Sequence, residues 1–375
     1  MKTISYLAFG VVRSAVLLFV GMVMLTSCLD DDSKSYNDDA LGNFEAAWNA
    51  MDEHYCFFKE KDVDWNKVYN AYKPYFRDSV KTVLQEFNLL GSMLAQVRDG
   101  HVNLYSEFNT ARYWKWYEDY PTNFDENLLK DYYLGNNYWT ISGLQYCALK
   151  DSIGYVRYPS FSSTPGSLNL DYALTAVSYC RGLIIDIRNN GGGSLTNVPK
   201  IANRFATEKT CYGYISHKTG KGHSDFSTPE AIYLEPEPNR VNWDASVQPV
   251  VVLTNRHTFS AANNFVQAMR ALAETKTMDE NGQWQEKMIV TIGDRSGGGG
   301  GMPFETVLPN GWILRFSACP ITDHRHQHTE EGIDPDIKID MDSTSMIEQH
   351  KDDIIERARE YILANTRKEY KKEEE

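Results

Sequence analysis

Val251-Val252-Leu253-Thr254-Asn255-Arg256-His257-Thr258-Phe259-Ser260-Ala261-Ala262 runs from an unbroken apolar tract, through a polar turn, to a serine that opens a helical pattern. The tract shows no polar alternation, so the strand it forms is covered on both faces, as in a sheet flanked by helices. The helical pattern continues from Ala261 to Ala273. Outward from it lie other apolar runs of strand length: Ile153 to Tyr158, Leu183 to Ile187, Met288 to Ile292 and Trp312 to Phe316. Strands mixed with helices predict an α/β (α+β) domain with a mostly covered sheet. Residues 215–248, rich in Gly, Pro, Ser and charge, read as a long excursion of the kind used for lids and binding loops.

Before this core the texture is helical. Phe44, Ala47, Trp48, Met51 and Tyr55 recur at helical spacing. Thr82-Val83-Leu84-Gln85 is a capping box, and Val83, Phe87, Leu90, Leu94 and Val97 follow on one face. After the core, apolar residues at 347, 354, 358 and 362 predict one amphipathic helix from Ile347 to Ile362, followed by a charged tail from Lys368.

A chain of 375 residues suits one or two domains. With 42% hydrophobic and 24% charged residues, neither wholesale disorder nor a multi-span membrane protein fits. The net charge of −13 excludes a nucleic-acid binder, which needs Lys and Arg against phosphate. The six Cys are scattered with no CxxC pair, so a zinc ribbon and a thioredoxin-like site are unsupported.

Residues 1–27 carry Lys2 and Arg13 around a short apolar run from Ala15 to Thr26. The run is short for a bilayer span and has the shape of a secretory signal. It ends in Leu25-Thr26-Ser27-Cys28, which resembles the bacterial lipoprotein cleavage box, so Cys28 is expected to take the lipid. The acidic run Leu29-Asp30-Asp31-Asp32-Ser33-Lys34 resembles the tag that carries lipoproteins of some Gram-negative bacteria to the surface-exposed face of the outer membrane. The expected membrane partner is therefore reached through an N-terminal lipid anchor.

Four segments carry chemistry. They are Asp99-Gly100-His101-Val102; Gly182 to Gly193, a strand ending in Asn190-Gly191-Gly192-Gly193; the Ser260 segment; and Gly293-Asp294-Arg295-Ser296 with five glycines after it, followed by Glu330-Glu331-Gly332-Ile333-Asp334-Pro335-Asp336. A serine at a helix N-terminus sits where free amides and the positive dipole end stabilise an oxyanion. A glycine turn brings another amide close because no Cβ blocks the approach. A histidine with an ordinary pKa of about 6.5 can take the serine proton, which predicts an activity midpoint at about pH 6 to 7. His257, three residues before Ser260, is a rival base, but it must fold back over its own nucleophile.

Together and in this order, the segments resemble the tail-specific (C-terminal processing) serine peptidase family. The resemblance implies a Clp-protease/crotonase-like core of ββα units with a small N-terminal helical subdomain. It implies Ser260 as nucleophile, and the Ala261 amide with one amide of the glycine turn, placed at Gly192 with Gly191 and Gly193 as neighbours, as oxyanion hole. Many bacterial members use a Lys base in the segment that here spans Gly293 to Gly300, but no Lys lies between Lys287 and Lys338. The chain is instead similar to the branch holding the tricorn core and the interphotoreceptor retinoid-binding repeats. That branch implies His101 as base and a glutamate, Glu330 ahead of Glu331, that helps orient the site.

The expected division is a signal at 1–27, a tether at 28–40, a helical subdomain at 41–102, an aromatic-rich linking segment at 103–152 without a PDZ module, a catalytic core at 153–342, and a C-terminal helix and tail at 343–375. Tyr113, Trp114, Trp116, Tyr117 and Tyr120 crowd the linking segment, either shaping a substrate cleft or packing as a plain layer. The implied activity is peptide-bond hydrolysis through an acyl-enzyme on peptide or protein substrates, with no cofactor. The alternative is a non-catalytic binder of peptide or apolar ligand on the same fold. His324, His326 and His328 share a face if they lie on a strand, and three imidazoles can hold zinc, but no fourth ligand is marked and no metal is expected.

Overall fold

The computed structural model describes residues 35–367. The signal segment, Cys28, the acidic run and the tail from residue 368 lie outside the described residues. Three helices come first: α1 (Ala40–His54), α2 (Trp65–Asp78) and α3 (Val83–Leu94). Asp39, Asp64 and Thr82 cap them by accepting from the amides of Gly42, Lys67 and Gln85. Gln85 closes its side of the box on the Lys81 amide, one residue ahead of the cap.

The chain then runs through β1 (Asn103–Tyr105), β2 (Thr110–Arg112), β3 (Trp139–Ile141), β4 (Leu144–Leu149) and β5 (Ile153–Arg157) to α4 (Ser167–Val177). Next come β6 (Leu183–Asp186), β7 (Thr210–Ile215), β8 (Glu230–Leu234) and β9 (Val250–Thr254), then α5 (Ala261–Ala273). A small hairpin, β10 (Lys276–Met278) and β11 (Trp284–Glu286), precedes β12 (Ile289–Gly293), β13 (Gly301–Val307), β14 (Ile313–Asp323) and β15 (Ile337–Lys338). Helix α6 (Asp353–Asn365) ends the described chain.

Two sheets organise these elements. One has seven strands in the order β15-β12-β9-β6-β5-β4-β3, parallel from β15 to β5 and antiparallel beyond. Alternate residues of its central strands enter different cores. Leu183, Ile185, Val250 and Val252 pack with Leu174 and Val177 of α4 and Phe265 and Met269 of α5. Ile184, Val251 and Leu253 pack with Ile354, Ala358 and Ile362 of α6. Coverage on both faces is why these strands read as unbroken apolar runs. The second sheet, β2-β1-β14-β7-β8 with β13 also on β14, is antiparallel. The helical subdomain packs on it: Phe44, Met51, Phe87 and Leu90 share a core with Leu104, Leu314 and Phe316.

Two expectations change. The excursion at 215–248 contributes β8 to the second sheet; only Leu234 of this strand is buried, so it has the sparse pattern of an edge. The single helix expected from Ile347 to Ile362 is broken. A short helix, Ser343–Glu348, leaves Ile347 exposed, and α6 begins afresh at the cap residue Asp352.

Asp352 does more than cap. Its Oδ1 accepts from the amides of Ile354 and Ile355, and its Oδ2 accepts from Arg188 Nη1 at 2.8 Å. Arg188 also forks onto Asp186 at 2.7 Å and 3.0 Å, and Tyr155 Oη donates to the same carboxylate at 2.7 Å. All three charged side chains have no exposure. This triad fastens the end of β6, which feeds the glycine turn, to the helix on the far face. Arg188→Ala leaves two carboxylates buried without their cation. The expected loss is about 3–5 kcal/mol in urea unfolding; a loss under about 1 kcal/mol means that the carboxylates find other partners.

Candidate functional site

The carboxyl ends of the neighbouring parallel strands β6 and β9 open into the same cleft, the usual place for chemistry in such sheets, and the glycine loop that follows β12 lies behind it. From β6 comes the glycine turn. Asn190 rivets it: its Oδ1 accepts from the Gly192 amide at 2.9 Å, its Nδ2 donates to Tyr158 O at 2.7 Å, and its carbonyl accepts from the Phe259 amide at 3.0 Å. From β9 comes the serine turn. Thr258 Oγ1 donates to Ile187 O at 3.0 Å, and Asn255 bonds Asn189 through both side-chain atoms.

Ser260 stands at φ 58°, ψ −121°, a conformation that L-residues rarely adopt and that costs about 1–3 kcal/mol. Three backbone bonds hold it there: Phe259 N to Asn190 O, Ser260 N to Gly298 O at 2.8 Å, and Asn264 N to Ser260 O at 3.0 Å. Its side chain makes no cap bond, so the Oγ is not spent on the helix. The Ala261 amide and the amides of Gly191 and Gly193 make no hydrogen bond among the described residues. Gly192, at φ +96°, passes so close that a Cβ there would lie 2.7 Å from the Ser260 Cβ and 2.9 Å from Ala261 N.

The imidazole arrives from the other sheet. His101 precedes β1, and its Nε2 lies 2.9 Å from Ser260 Oγ, across 159 residues of sequence. Asp99 sets its backbone. Asp99 Oδ1 accepts from the His101 amide at 2.7 Å, and Oδ2 accepts from Tyr55 Oη at 3.0 Å and Ser317 Oγ at 2.9 Å. The ring packs on Phe259 with centroids 4.7 Å apart, and its Nδ1 is buried without a hydrogen-bond partner. Burial pushes the imidazole pKa down to about 4; Arg315, Lys61 and Arg112 push the same way, and Asp99 opposes them.

Glu330 is buried behind the glycine loop. Its Oε2 accepts from the Gly300 amide at 2.9 Å, and its Oε1 pairs with Lys61 Nζ at 3.0 Å. It makes no hydrogen bond to His101, so it bears on the imidazole only through the loop, where Gly299 packs beside the ring. Glu331 is 62% exposed and also pairs with Lys61. Burial disfavours charge on Lys61, but Glu330, Asp99 and Glu331 outweigh it and raise its pKa. Thus a remote lysine does fold into this region, and it binds Glu330 rather than Ser260. The five glycines form a buried wall, with Gly297 N on Thr258 O at 2.8 Å and Gly299 N on Glu330 O at 3.0 Å.

The cleft has a volume of about 670 Å³. Trp114, Trp116 and Tyr117 of the linking segment line it together with the glycine turn, and Trp116 stacks on Phe259 at 4.3 Å. His257 lies 4.1 Å from the Tyr117 ring and is not bonded to Ser260. The histidine trio sits on a turn and diverges. His324 bonds Glu274 at 2.9 Å, His326 stacks on Tyr214 at 4.0 Å, and His328 lies 3.4 Å from Glu60. Among the described residues no group of three or more His, Cys, Asp or Glu is placed to hold a metal. Cys56, Cys147, Cys180, Cys211 and Cys319 are free thiols.

Sequence reasoning missed Tyr55, Lys61, Asn190 and Ser317. Asn190 stood inside a segment already singled out, next to the glycines. Tyr55 reads only as the last apolar residue of a helical face, and Lys61 and Ser317 carry no local pattern that marks them.

The profile of peptidase family S41 matches residues 152–339, and that of the tricorn protease C1 domain matches residues 36–95. Among curated proteins none matches by sequence. A solved structure of a candidate peptidase from Parabacteroides merdae ATCC 43184 is 46% identical, covers 87% of this chain and 98% of its own, and has a TM-score of 0.78. Mature CPAF in complex with lactacystin is 11% identical over 87% of this chain and 99% of its own, with a TM-score of 0.65. The tricorn protease is 14% identical over 87% of this chain and 37% of its own, with a TM-score of 0.50. The last two establish a shared fold.

The neutral imidazole is the form that can accept a proton from Ser260. Because burial lowers its pKa from 6.5 to about 4, that form persists through the usual histidine range and is lost only as the pH falls through about 4. The rate at which a fluorophosphonate labels Ser260 is therefore expected to show an acid midpoint near 4. A midpoint at the ordinary histidine value of about 6.5 contradicts the burial argument.

Proposed function

The chain belongs to peptidase family S41 and is a serine-type peptidase; from that premise we propose that it cleaves peptide bonds through an acyl-enzyme on Ser260 with His101 as general base. The observation that carries this reading is the 2.9 Å contact between His101 Nε2 and Ser260 Oγ. Nε2 takes the hydroxyl proton as Oγ attacks the scissile carbonyl carbon. The protonated ring then passes that proton to the leaving amine, the C–N bond breaks, and an ester remains on Ser260. Water, deprotonated by the same nitrogen, hydrolyses the ester and restores the enzyme.

The developing oxyanion meets the Ala261 amide at the start of α5 and one amide of the glycine turn. Gly192 already donates to Asn190 Oδ1, whereas the Gly191 and Gly193 amides have no partner among the described residues, which favours these neighbours as the second donor. Asp99 supplies the negative field that favours the imidazolium, and Glu330 holds the glycine loop against the ring. Lipid attachment at Cys28, which would hold the enzyme at the outer membrane, belongs to the same proposal and rests on the sequence pattern.

A fluorophosphonate should label the native protein at neutral pH, and Ser260→Ala should abolish labelling. His101→Ala should lower the peptidase rate by about 10²- to 10⁴-fold. Undiminished labelling of Ser260→Ala removes Ser260 as the nucleophile. Native protein that is never labelled favours a non-catalytic binder on this fold.

A further inference from the structure

In the familiar serine triad a carboxylate on the second ring nitrogen holds the imidazole in orientation. His101 has no such bond: its Nδ1 is buried without a hydrogen-bond partner among the described residues, and Ser260 Oγ meets only Nε2. One bond leaves a ring free to turn about it, so the plane of this imidazole must be set by packing. Phe259, the residue before the nucleophile, packs on it with centroids 4.7 Å apart. Trp116 of the linking segment stacks on Phe259 in turn, at 4.3 Å and an interplanar angle of 27°. Indole, phenyl and imidazole thus form one continuous set of ring contacts that ends on the base.

Bare backbone closes around these rings. A Cβ on Gly100 would lie 2.8 Å from Trp116 Nε1 and 2.9 Å from Phe259 Cζ. One on Gly299 would lie 2.6 Å from Phe259 Cζ and 3.0 Å from His101 Cε1, and one on Gly297 would strike the Trp116 indole. The histidine segment and the glycine loop therefore both carry glycine where they press on the rings. The strap that bears Trp116 is fastened by three consecutive residues of the serine turn. Asn255 Nδ2 donates to Thr122 O at 2.8 Å, Arg256 Nε donates to Trp116 O at 2.7 Å, and His257 packs on the Tyr117 ring at 4.1 Å. Arg256 also lies over the Tyr120 ring at 4.1 Å. The Trp116 Nε1 is buried without a partner among the described residues, so packing rather than a hydrogen bond sets the indole.

We propose that Trp116 is a positioning residue: through Phe259 it fixes the plane of the His101 imidazole and keeps water from its face. The inference rests on the acyl-enzyme reading and adds to it a residue of the linking segment. The charged groups that act on the ring are Asp99 from its own segment, Arg315 from β14, Lys61 from the helical subdomain and Arg112 from β2, with Glu330 behind the glycine loop. His257 of the serine turn faces Trp116 at 6.0 Å. Removing the indole removes none of these charges. It lets water reach the ring, which solvates the imidazolium and raises the pKa from about 4 toward the ordinary histidine value.

The test follows the rate of fluorophosphonate labelling from acid to neutral pH in the native protein, Trp116→Ala and Trp116→Phe. Trp116→Ala should raise the acid midpoint by about one pH unit or more. It should also lower the rate at neutral pH by about 10-fold or more, because the base is no longer held in line. The imidazole is unprotonated at neutral pH in either protein, so the loss there reports position and the midpoint reports water. Trp116→Phe keeps a ring over Phe259 and should restore a midpoint close to the native one together with most of the rate.

Trp116 also lines the cleft, so peptide kinetics separate the two roles it could play. Positioning lowers kcat, whereas a bare substrate contact raises KM alone. An unchanged midpoint in Trp116→Ala overturns the proposal whatever the rate, as does a Phe variant as impaired as the Ala variant. Thermal unfolding shows whether each variant has folded. If Trp116→Ala has not, Trp116→Leu, apolar but without a ring, takes its place: a raised midpoint supports the proposal and a native one overturns it. Absent labelling of the native protein defeats the acyl-enzyme reading instead, so the two failures are distinguishable.

Discussion

The hydrogen bond between His101 and Ser260 joins two sheets. The serine stands at the carboxyl end of a parallel strand, and the imidazole lies just ahead of β1, an interior strand of an antiparallel sheet. A contact of this kind tolerates little sliding, because an error of about 1 Å between reacting groups costs about 10²-fold in rate. The rest of the architecture acts to hold one sheet against the other. The glycine segment leaves β12 in the first sheet and enters β13 in the second, bonding the serine turn on its way through Gly298 O. Asp99 ties the histidine segment both to Tyr55, just after α1, and to Ser317 on β14. Lys61, from the helical subdomain, reaches Glu330 behind the glycine wall. The helical subdomain is thus part of the catalytic frame as well as a cover for the second sheet.

That frame holds strain and buried charge. Ser260 occupies a disfavoured backbone conformation, and Arg188, Asp186, Asp352, Lys61 and Glu330 are all buried. Each is costly alone, and each is met by partners fixed in other elements. The Ser260 turn keeps its shape because two backbone bonds to separate loops and one from α5 determine it. A relaxed serine would satisfy the backbone better and could use its Oγ as a cap. Instead the hydroxyl is left to the imidazole.

How much of this was legible follows from how each feature is encoded. Strands β5, β6, β9 and β12 were readable because both faces are buried and the apolar runs are continuous. The meeting of His101 and Ser260 was readable only from the order of four segments taken together, since each segment alone has an ordinary structural explanation. Lys61 was not readable: in the charged run Lys59-Glu60-Lys61-Asp62 after Phe57 and Phe58 it looks like surface until the fold closes over it. The break before α6 was hidden because Ile347 and Ile354 keep helical spacing across it, while the burial of Asp352 against Arg188 is set far away in sequence. The depressed imidazole pKa was hidden too, since depth of burial has no signature in local sequence.

These features converge on the electrostatics around one ring. His101 Nδ1 has no carboxylate on it, so the imidazolium of the proposed mechanism depends on field rather than on a direct hydrogen bond. Asp99 provides the favourable part from the backbone side, while Arg112, Arg315 and Lys61 work against it. Lys61 is held in place by Glu330 and Glu331, so one of the three opposing cations is fixed by the frame itself.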